Sequence, residues 1–496
     1  MVLAVGLPVV MLLAGRMPTV DLAYLVRAGD AMLRSHHVLR TDTFTFTVGG
    51  LPWLNQQWGS EVLLAAVFRL GGWPLLMVLR AATGAAVFSL VLMTCRARGA
   101  STRQAAWLTL GFSPVALGGL LVRPQMFGLL LFALTMWILA NRDRRPRLVF
   151  VIPLIVAAWA NLHGSFFLGP LLVGLAFLDD LRRKSPGARR LLMLILVCVA
   201  AACLGPFGPR VWTYAFDVST SPVIAAAVVE WQAPSVRDAI GAIFFVSVTA
   251  ASLILALSPR RLPWTSLLTL AIFLLVGLFA VRGVCWWGIV APPLLVEALP
   301  VRSDAGSPAG DRLANWSIVG LLIALVVAFL PWWRVVGAPS AESALLERAP
   351  VGLTKAVSRL APRGARLFVS QPLSSWFEFA VPRDPVFVDP RLELYPTSIW
   401  RQYGDVSTGR ADWNSVLEKW HVDVVVADRH DQRDLIPYIQ RSPEWRLGYA
   451  DPDGLVFLRA RRSADEQPSS SPPGRPEVSG ASAISCSSAS LAEARR

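Results

Sequence analysis

Long apolar runs, broken by short arginine-bearing loops, set the pattern of the first two thirds of the chain. The runs cover Met1–Gly15, Pro74–Cys95, Gln104–Val122, Pro124–Ala140, Val149–Ala160 and Ser165–Leu178. They continue with Leu191–Leu204, Ala239–Leu257, Trp264–Val281, Val284–Leu299 and Ile318–Leu330. A membrane-spanning helix needs roughly 20 apolar residues, so the pattern predicts a polytopic α-helical membrane domain over 1–335 with about eleven transmembrane helices. Several runs are short, notably the pair around Asn161–Gly164. Such helices are expected to tilt, or to end in a protein-lined cavity where their backbone stays satisfied. Met1–Gly15 resembles a signal-peptide core without a basic leading region, and is read as a retained first helix.

Two stretches depart from this pattern. Residues 16–73 are too long and too ordered in sequence for a plain connector. Leu22–Leu33 predicts an amphipathic helix, Thr41–Val48 alternates as a strand does, Gly49–Gly50 turns, and Leu54–Phe68 predicts a second helix. Residues 341–462 have soluble composition. Helices are expected at Leu353–Leu360, Asp412–Trp420 and Leu435–Gln440, with strands at Arg366–Ser370, Pro385–Asp389, Val422–Asp428, Trp445–Ala450 and Leu455–Ala460. That alternation predicts a small α/β domain. Residues 463–496 are Ser/Pro-rich and are expected to be disordered.

Composition changes the picture in one respect. Charged residues make up 16% of the 496, and the net charge is +14, which by itself would suggest nucleic acid. The excess lies in alternate short loops, at Arg96/Arg98/Arg103, Arg142/Arg144/Arg145/Arg147, Arg182/Arg183/Lys184/Arg189/Arg190, Arg260/Arg261 and Arg302/Arg312. The other short loops hold only Arg123, Arg210, Arg237 and Arg282. This is the positive-inside pattern. It excludes a nucleic-acid partner and predicts a multi-pass membrane protein, and scarce Lys beside abundant Ala, Arg and Gly suggests a GC-rich bacterial genome and hence the bacterial plasma membrane. The N-terminus is then cytoplasmic, while the 16–73 loop and the C-terminal α/β domain are extracytoplasmic. Trp286, Trp287, Trp332 and Trp333 are expected in an outer aromatic belt. The five cysteines have no metal-ligand spacing; Cys203 and Cys285 could meet near the outer face.

Candidate chemistry follows from polar residues in apolar surroundings. Asp21 stands just after the first span, where a carboxylate could take an acceptor proton in glycosyl transfer or cap the following helix. Trp58 and Glu61 share a helix face at i, i+3: a sugar platform with an acidic neighbour, or an interfacial anchor beside a solvated Glu. Arg123 and Gln125 interrupt two apolar runs. A guanidinium there suits a lipid phosphate or snorkels to head groups. Asn161 and His163 form a polar island, either facing a cavity or structural. Glu230, Trp231 and Arg282 are further outward polar or aromatic groups, and Asp389 with Arg391 either reaches the membrane domain or closes an internal ion pair. Arg80, well inside a run, needs a partner. No P-loop, zinc cluster or Gly-x-Ser-x-Gly elbow is present.

The order of these features resembles the C-type (GT-C) integral-membrane glycosyltransferases, in particular bacterial members with a C-terminal outer α/β module. The residues that carry the resemblance are Asp21 in the first loop, Asp42, Phe44 and Thr47 (D-x-F-x-x-T), Trp58 and Glu61 (W-x-x-E), Arg123–Gln125 (RPQ), and Asn161, His163 and Gly164 (N-x-H-G). It implies transfer, with inversion, of a sugar from a polyprenyl-phosphate carrier to a glycan, lipid or protein acceptor on the outer face, with Asp21 as the acid-base residue and membrane lipids as surroundings. Some relatives use a divalent cation, though no ligand set is evident in this sequence. Asp21 is followed by Leu22 and lacks the paired Asp-Glu of the mannosyltransferase branch. The competing readings are a polysaccharide polymerase or ligase, and a non-catalytic lipid-binding or transport membrane protein.

Overall fold

The computed structural model describes residues 1–220, 229–300, 312–410 and 412–460. The tail expected at 463–496, Cys486, Arg302 and most of the Pro222–Val229 stretch fall outside them. The helices are α1 (Val2–Ala14), α2 (Thr19–Ser35), α3 (Trp58–Ala97), α4 (Thr102–Leu117), α5 (Pro124–Ala140), α6 (Ile152–Leu162), α7 (Leu168–Arg182) and α8 (Ala188–Ala201). They are followed by α9 (Arg210–Thr220), α10 (Ala239–Ala256), α11 (Trp264–Phe279), α12 (Val284–Leu295) and α13 (Arg312–Ala328).

Four helical stretches among the described residues are long and apolar enough to cross a membrane: Trp58–Ala97, Gly164–Arg182, Ala239–Ala256 and Asn315–Val336. Val2–Ala14, Pro124–Ala140, Leu148–Leu162 and Trp264–Phe279 are shorter apolar helices. The faces turned outward are apolar too. On α8, Leu192, Met193, Leu196 and Val197 are exposed, and on α10 so are Ile240, Ile243, Val246 and Leu253. Apolar surface on this scale needs a partner other than water, and lipid supplies one.

Local sequence explains where elements break. The apolar pattern separates Leu54–Phe68 from Pro74–Cys95, and α3 is interrupted between them: Gly71 is non-helical and Gly72 has φ +60°, a conformation glycine adopts without a Cβ penalty. Arg80 finds its partners at the end of α1. Its guanidinium donates to the carbonyls of Leu12, Gly15 (2.8 Å) and Arg16 (3.2 Å). Arg334 donates to the neighbouring carbonyls of Leu13 (3.1 Å) and Ala14 (3.2 Å). A helix leaves its last four carbonyls without intrahelical partners, and here two arginines satisfy them. That fixes the exit of α1 and hence the start of α2.

The C-terminal part holds a four-stranded sheet, in the order β3 (Leu367–Val369), β4 (Val424–Asp428), β6 (Gly454–Arg459), β5 (Trp445–Ala450). β3 and β4 are parallel, and the other pairings are antiparallel. Helices Gln371–Ala380 and Thr397–Ser407 were not evident in the apolar pattern. The alternating Thr41–Val48 segment is not a strand. It makes single bridges, Thr41 to Pro52 and Thr45 to Val386, and Val386 also bridges Leu367 of β3. Pro385–Asp389 likewise contributes that bridge position, not a full strand.

The sheet and the bundle are stitched together at several points. Met17–Pro18 (β1) pairs in parallel with Leu346–Glu347 (β2). Ser375 Oγ donates to the Thr19 carbonyl (3.1 Å) and accepts from the Tyr24 backbone N–H (2.8 Å). Phe68, Trp73, Trp376 and Phe379 form one aromatic cluster between α3 and Gln371–Ala380. Trp286 and Trp287, expected in an interfacial belt, are buried. Trp286 packs on Phe132 and Trp159, and Trp287 Nε1 donates to Ser247 Oγ. Trp332 and Trp333 are exposed. Cys203 and Cys285 are free thiols.

Candidate functional site

A cavity of about 600 Å³ lies where α2, the start of α5, the α6–α7 junction, α9, the 281–283 turn and the segment Pro390–Glu393 meet. That volume is within the range of small-molecule sites, roughly 300–1,000 Å³. Eight residues singled out in the sequence line it: Asp21, Arg123, Gln125, His163, Glu230, Trp231, Arg282 and Arg391.

Three of the lining residues form a charge bridge. Arg123 Nε lies 2.9 Å from Asp21 Oδ2, and Arg123 Nη1 lies 2.5 Å from Glu230 Oε1. Asp21 is in the first turn of α2, not at its N-cap, which is Pro18. There its charge also faces the positive end of the helix dipole. Arg123 is the N-cap of α5 and is extended (φ −141°, ψ 161°), because Pro124 opens that helix and disfavours an α conformation in the residue before it. Burial opposes the charge on Glu230, but Arg123, by charge and by hydrogen bond, outweighs it and holds the carboxyl below its ordinary range.

Arg282 sits over the Trp231 ring, 4.9 Å from guanidinium carbon to ring centroid. Gln125 Nε2 donates to the Arg282 carbonyl (3.2 Å) and contacts Cys285 Sγ, so it holds the turn that presents Arg282. His163 follows α6. Its Nδ1 is engaged by Ser165, and Ser165 Oγ by Trp159 Nε1.

Four residues singled out in the sequence lie outside the cavity lining, for physical reasons. Trp58 and Asn161 bond to each other, Trp58 Nε1 donating to Asn161 Oδ1 (2.8 Å), while Asn161 Nδ2 donates to the carbonyls of Ala157 and Leu204. All of Asn161's amide is thereby used to join α3, α6 and the end of α8. Glu61 is fully buried and not solvated, and accepts from Asn55 Nδ2 at 2.6 Å. Asp389 is also fully buried and accepts from Arg391 Nε (2.8 Å) and the Arg391 backbone N–H (2.8 Å). Arg391 lines the cavity and is also tied into the protein, with its Nη1 left without a partner. Its guanidinium bonds Asp389 and Asp42, and lies over Phe44 and Trp53 at 5.0 and 4.4 Å.

The structure adds groups the sequence did not single out: Tyr24, Gln56, Gln57, Tyr214 and Glu393. Tyr214 Oη donates to Glu393 Oε1 (3.1 Å), and Gln57 Nε2 donates to Tyr24 Oη (3.0 Å). The Glu393 carboxyl meets solvent through the cavity while protein packs around it. Burial raises its pKa against the opposing pull of its own backbone N–H, Arg391 and Tyr214. The signal that could have found it was its place in Asp389–Glu393, two residues past a singled-out pair.

A guanidinium lies between the two carboxylates, and no group of three His, Cys, Asp or Glu side chains converges among the described residues.

No family model and no curated protein matches this sequence. Solved structures do match in fold. The oligosaccharyltransferase of Archaeoglobus fulgidus, solved with a tethered acceptor peptide, is 14% identical with a TM-score of 0.56, over 92% of this chain and 74% of that one. ArnT from Cupriavidus metallidurans, bound to undecaprenyl phosphate, is 15% identical with a TM-score of 0.51, over 92% and 96%. The arabinofuranosyltransferase AftD from Mycobacteria is 15% identical with a TM-score of 0.58, over 93% of this chain but 40% of AftD. The chain therefore has the fold of the C-type membrane glycosyltransferases.

Proposed function

We propose that the protein transfers a sugar from a polyprenyl-phosphate donor to an acceptor on the outer face of the membrane, with Asp21 as the base. The observation that carries this reading is the Asp21–Arg123–Glu230 bridge, set in the wall of a ligand-sized cavity in a glycosyltransferase fold. A likeness to ArnT bound to undecaprenyl phosphate supports a lipid-phosphate donor.

In this scheme Asp21 takes the proton of the acceptor hydroxyl as its oxygen bonds to the anomeric carbon, and the bond from that carbon to the phosphate oxygen breaks. The polyprenyl phosphate leaves with the electron pair. Attack from the face opposite the phosphate gives inversion. Arg123 holds the Asp21 carboxylate in place, since a charge-assisted hydrogen bond is stronger and more directional than a neutral one. Positive charge for the phosphate comes from Arg282, because Arg123 already faces two carboxylates. Topology follows the arginine distribution: the C-terminal domain and the 16–73 loop lie on the extracytoplasmic side.

The test is transfer from a radiolabelled polyprenyl-phosphate sugar pool by membranes carrying wild type or Asp21→Asn at matched expression. Transfer by the wild type that is lost in the variant supports the reading. Equal transfer by both removes Asp21 from catalysis and turns attention to Glu393 and Glu230.

A further inference from the structure

His163 has a hydrogen-bonding state that its neighbours fix. The indole nitrogen of Trp159 can only donate, so at 3.1 Å from Ser165 Oγ it makes that hydroxyl an acceptor. The Ser165 backbone N–H donates to His163 Nδ1 at 3.2 Å, which makes that nitrogen an acceptor, so the Ser165 hydroxyl, 2.7 Å away, turns its proton to the same nitrogen. A ring nitrogen that accepts from two donors carries no hydrogen. The imidazole is therefore neutral, with its hydrogen on Nε2, since the partner of one ring nitrogen sets the state of the other.

Packing closes the arrangement. A Cβ at Gly128 would lie 3.0 Å from Ser165 Oγ, 3.1 Å from Trp159 Nε1 and 3.2 Å from His163 Nδ1. These distances are tighter than ordinary van der Waals contact, so the three groups occupy the space a side chain would need. The ring lines the same cavity as Arg282. Burial first, and the Arg282 charge second, oppose a positive charge on it. Arg282 itself forms no ion pair among the described residues, whereas Arg123 forms two.

Building on the reading above, we infer that His163 is a locked neutral donor: its Nε2–H and the Arg282 guanidinium together form the subsite for the ligand's phosphate. Such a subsite offers one full positive charge and one neutral donor, which matches the single negative charge of a sugar phosphodiester. It also bars His163 from acting as the general acid, because its only hydrogen belongs to a neutral imidazole. His163 is thus a specificity-determining residue, and Trp159, Ser165 and Gly128 are positioning residues that act through it.

The test uses full-length protein labelled with ¹⁵N-histidine, in nanodiscs, with the His163 resonances assigned by their loss in His163→Gln. The expected spectrum shows hydrogen on Nε2 and none on Nδ1 across pH 5–8. The Nε2 signal should shift when undecaprenyl phosphate or, separately, inorganic phosphate is added. His163→Gln keeps an amide N–H near the Nε2 position and should bind undecaprenyl phosphate within about threefold of wild type. His163→Phe should lose about tenfold or more, as expected for one hydrogen bond to a charged group. A hydrogen on Nδ1, or an imidazolium at neutral pH, overturns the inference, and so does binding that leaves Nε2 unmoved. If undecaprenyl phosphate fails to bind while inorganic phosphate shifts Nε2, the donor reading falls and the anion subsite stands. If neither ligand moves the signal, the subsite falls as well.

Discussion

Arg391 donates to Asp42 across 349 residues of sequence, and with the Thr45–Val386 bridge that contact joins the first long loop to the C-terminal sheet region. Both side chains are almost fully buried, and the Asp42 carboxylate also accepts from the Phe44 and Thr45 backbone N–H groups and from Thr45 Oγ1. Breaking a buried ion pair by removing one partner typically costs about 3–5 kcal/mol, mostly from the charge left behind. Arg391→Met should therefore lower stability by about that amount. The triple variant Asp42→Asn/Asp389→Asn/Arg391→Met should recover much of the loss. Melting of the detergent-solubilised protein measures both. A triple variant no more stable than the single one would show that stranded charge is not the cause.

The same cluster makes stability depend on pH through Glu378. Its carboxyl is buried, and both oxygens lack a hydrogen-bond donor. Burial, and then repulsion from Asp389 and Asp42 that Arg391 only partly offsets, push its pKa well above the ordinary carboxylate range. A carboxyl raised on folding binds more protons folded than unfolded. Its stabilising contribution is complete below the unfolded value of about 4.3 and declines as pH rises toward the folded value. Glu378→Gln cannot ionise, so its melting temperature should gain on wild type as pH is raised from 5 to 9. A wild-type-minus-variant difference that stays constant over that range rules the explanation out.

Much of the bundle was legible because lipid imposes a length and an apolarity that few other environments require. Even the break between Phe68 and Pro74 is marked by its two glycines. The site was legible where a polar residue interrupts an apolar run, as Asp21, Arg123 and His163 do. It was not legible where packing chooses between equivalent neighbours. In the stretch Asp389–Glu393, Asp389 turns into a buried ion pair while Glu393, four residues on, lines the cavity. Nothing in their spacing separates the two. Trp58 and Asn161 lie outside the cavity lining and are each other's hydrogen-bond partner, which their positions in the sequence do not reveal.

Arg123 compensates two carboxylates, so its loss should be read in the pH dependence as well as in the rate. In Arg123→Gln, burial acts on Glu230 with only the more distant Arg282 opposing it, and the Glu230 carboxyl then protonates at higher pH than in wild type. Transfer should fall at least about tenfold at pH 7, as for the loss of hydrogen bonds between charged groups, and the acid limb of the pH–rate profile should move toward neutral. An unshifted acid limb with a lower plateau would mean that Arg123 acts only in binding.

Arg80 tests whether the end of α1 positions Asp21. Arg80→Leu leaves the carbonyls of Leu12, Gly15 and Arg16 without that donor, at about 1–3 kcal/mol for each group that stays buried and unsatisfied. The loss of stability should exceed that of Arg334→Leu, whose side chain is the more exposed. If α1 only anchors the bundle, transfer per folded molecule is unchanged. If it sets the start of α2, transfer falls further than the folded fraction does.

Gly128→Ala makes the narrowest test of how the cavity wall is built. The added methyl is small, apolar and favourable to helix, so α5 itself should tolerate it. Its nearest neighbours, however, are the three polar atoms of Ser165, Trp159 and His163. These have no free direction to move without stretching the hydrogen bonds that join them. The variant should fold, as judged by its melting temperature, and yet bind undecaprenyl phosphate at least about tenfold more weakly, the size expected when a donor to a charged group is displaced. Unchanged binding in a folded Gly128→Ala protein would mean that the imidazole can shift without losing its ligand, and the lock on its ring would then be packing without consequence for recognition.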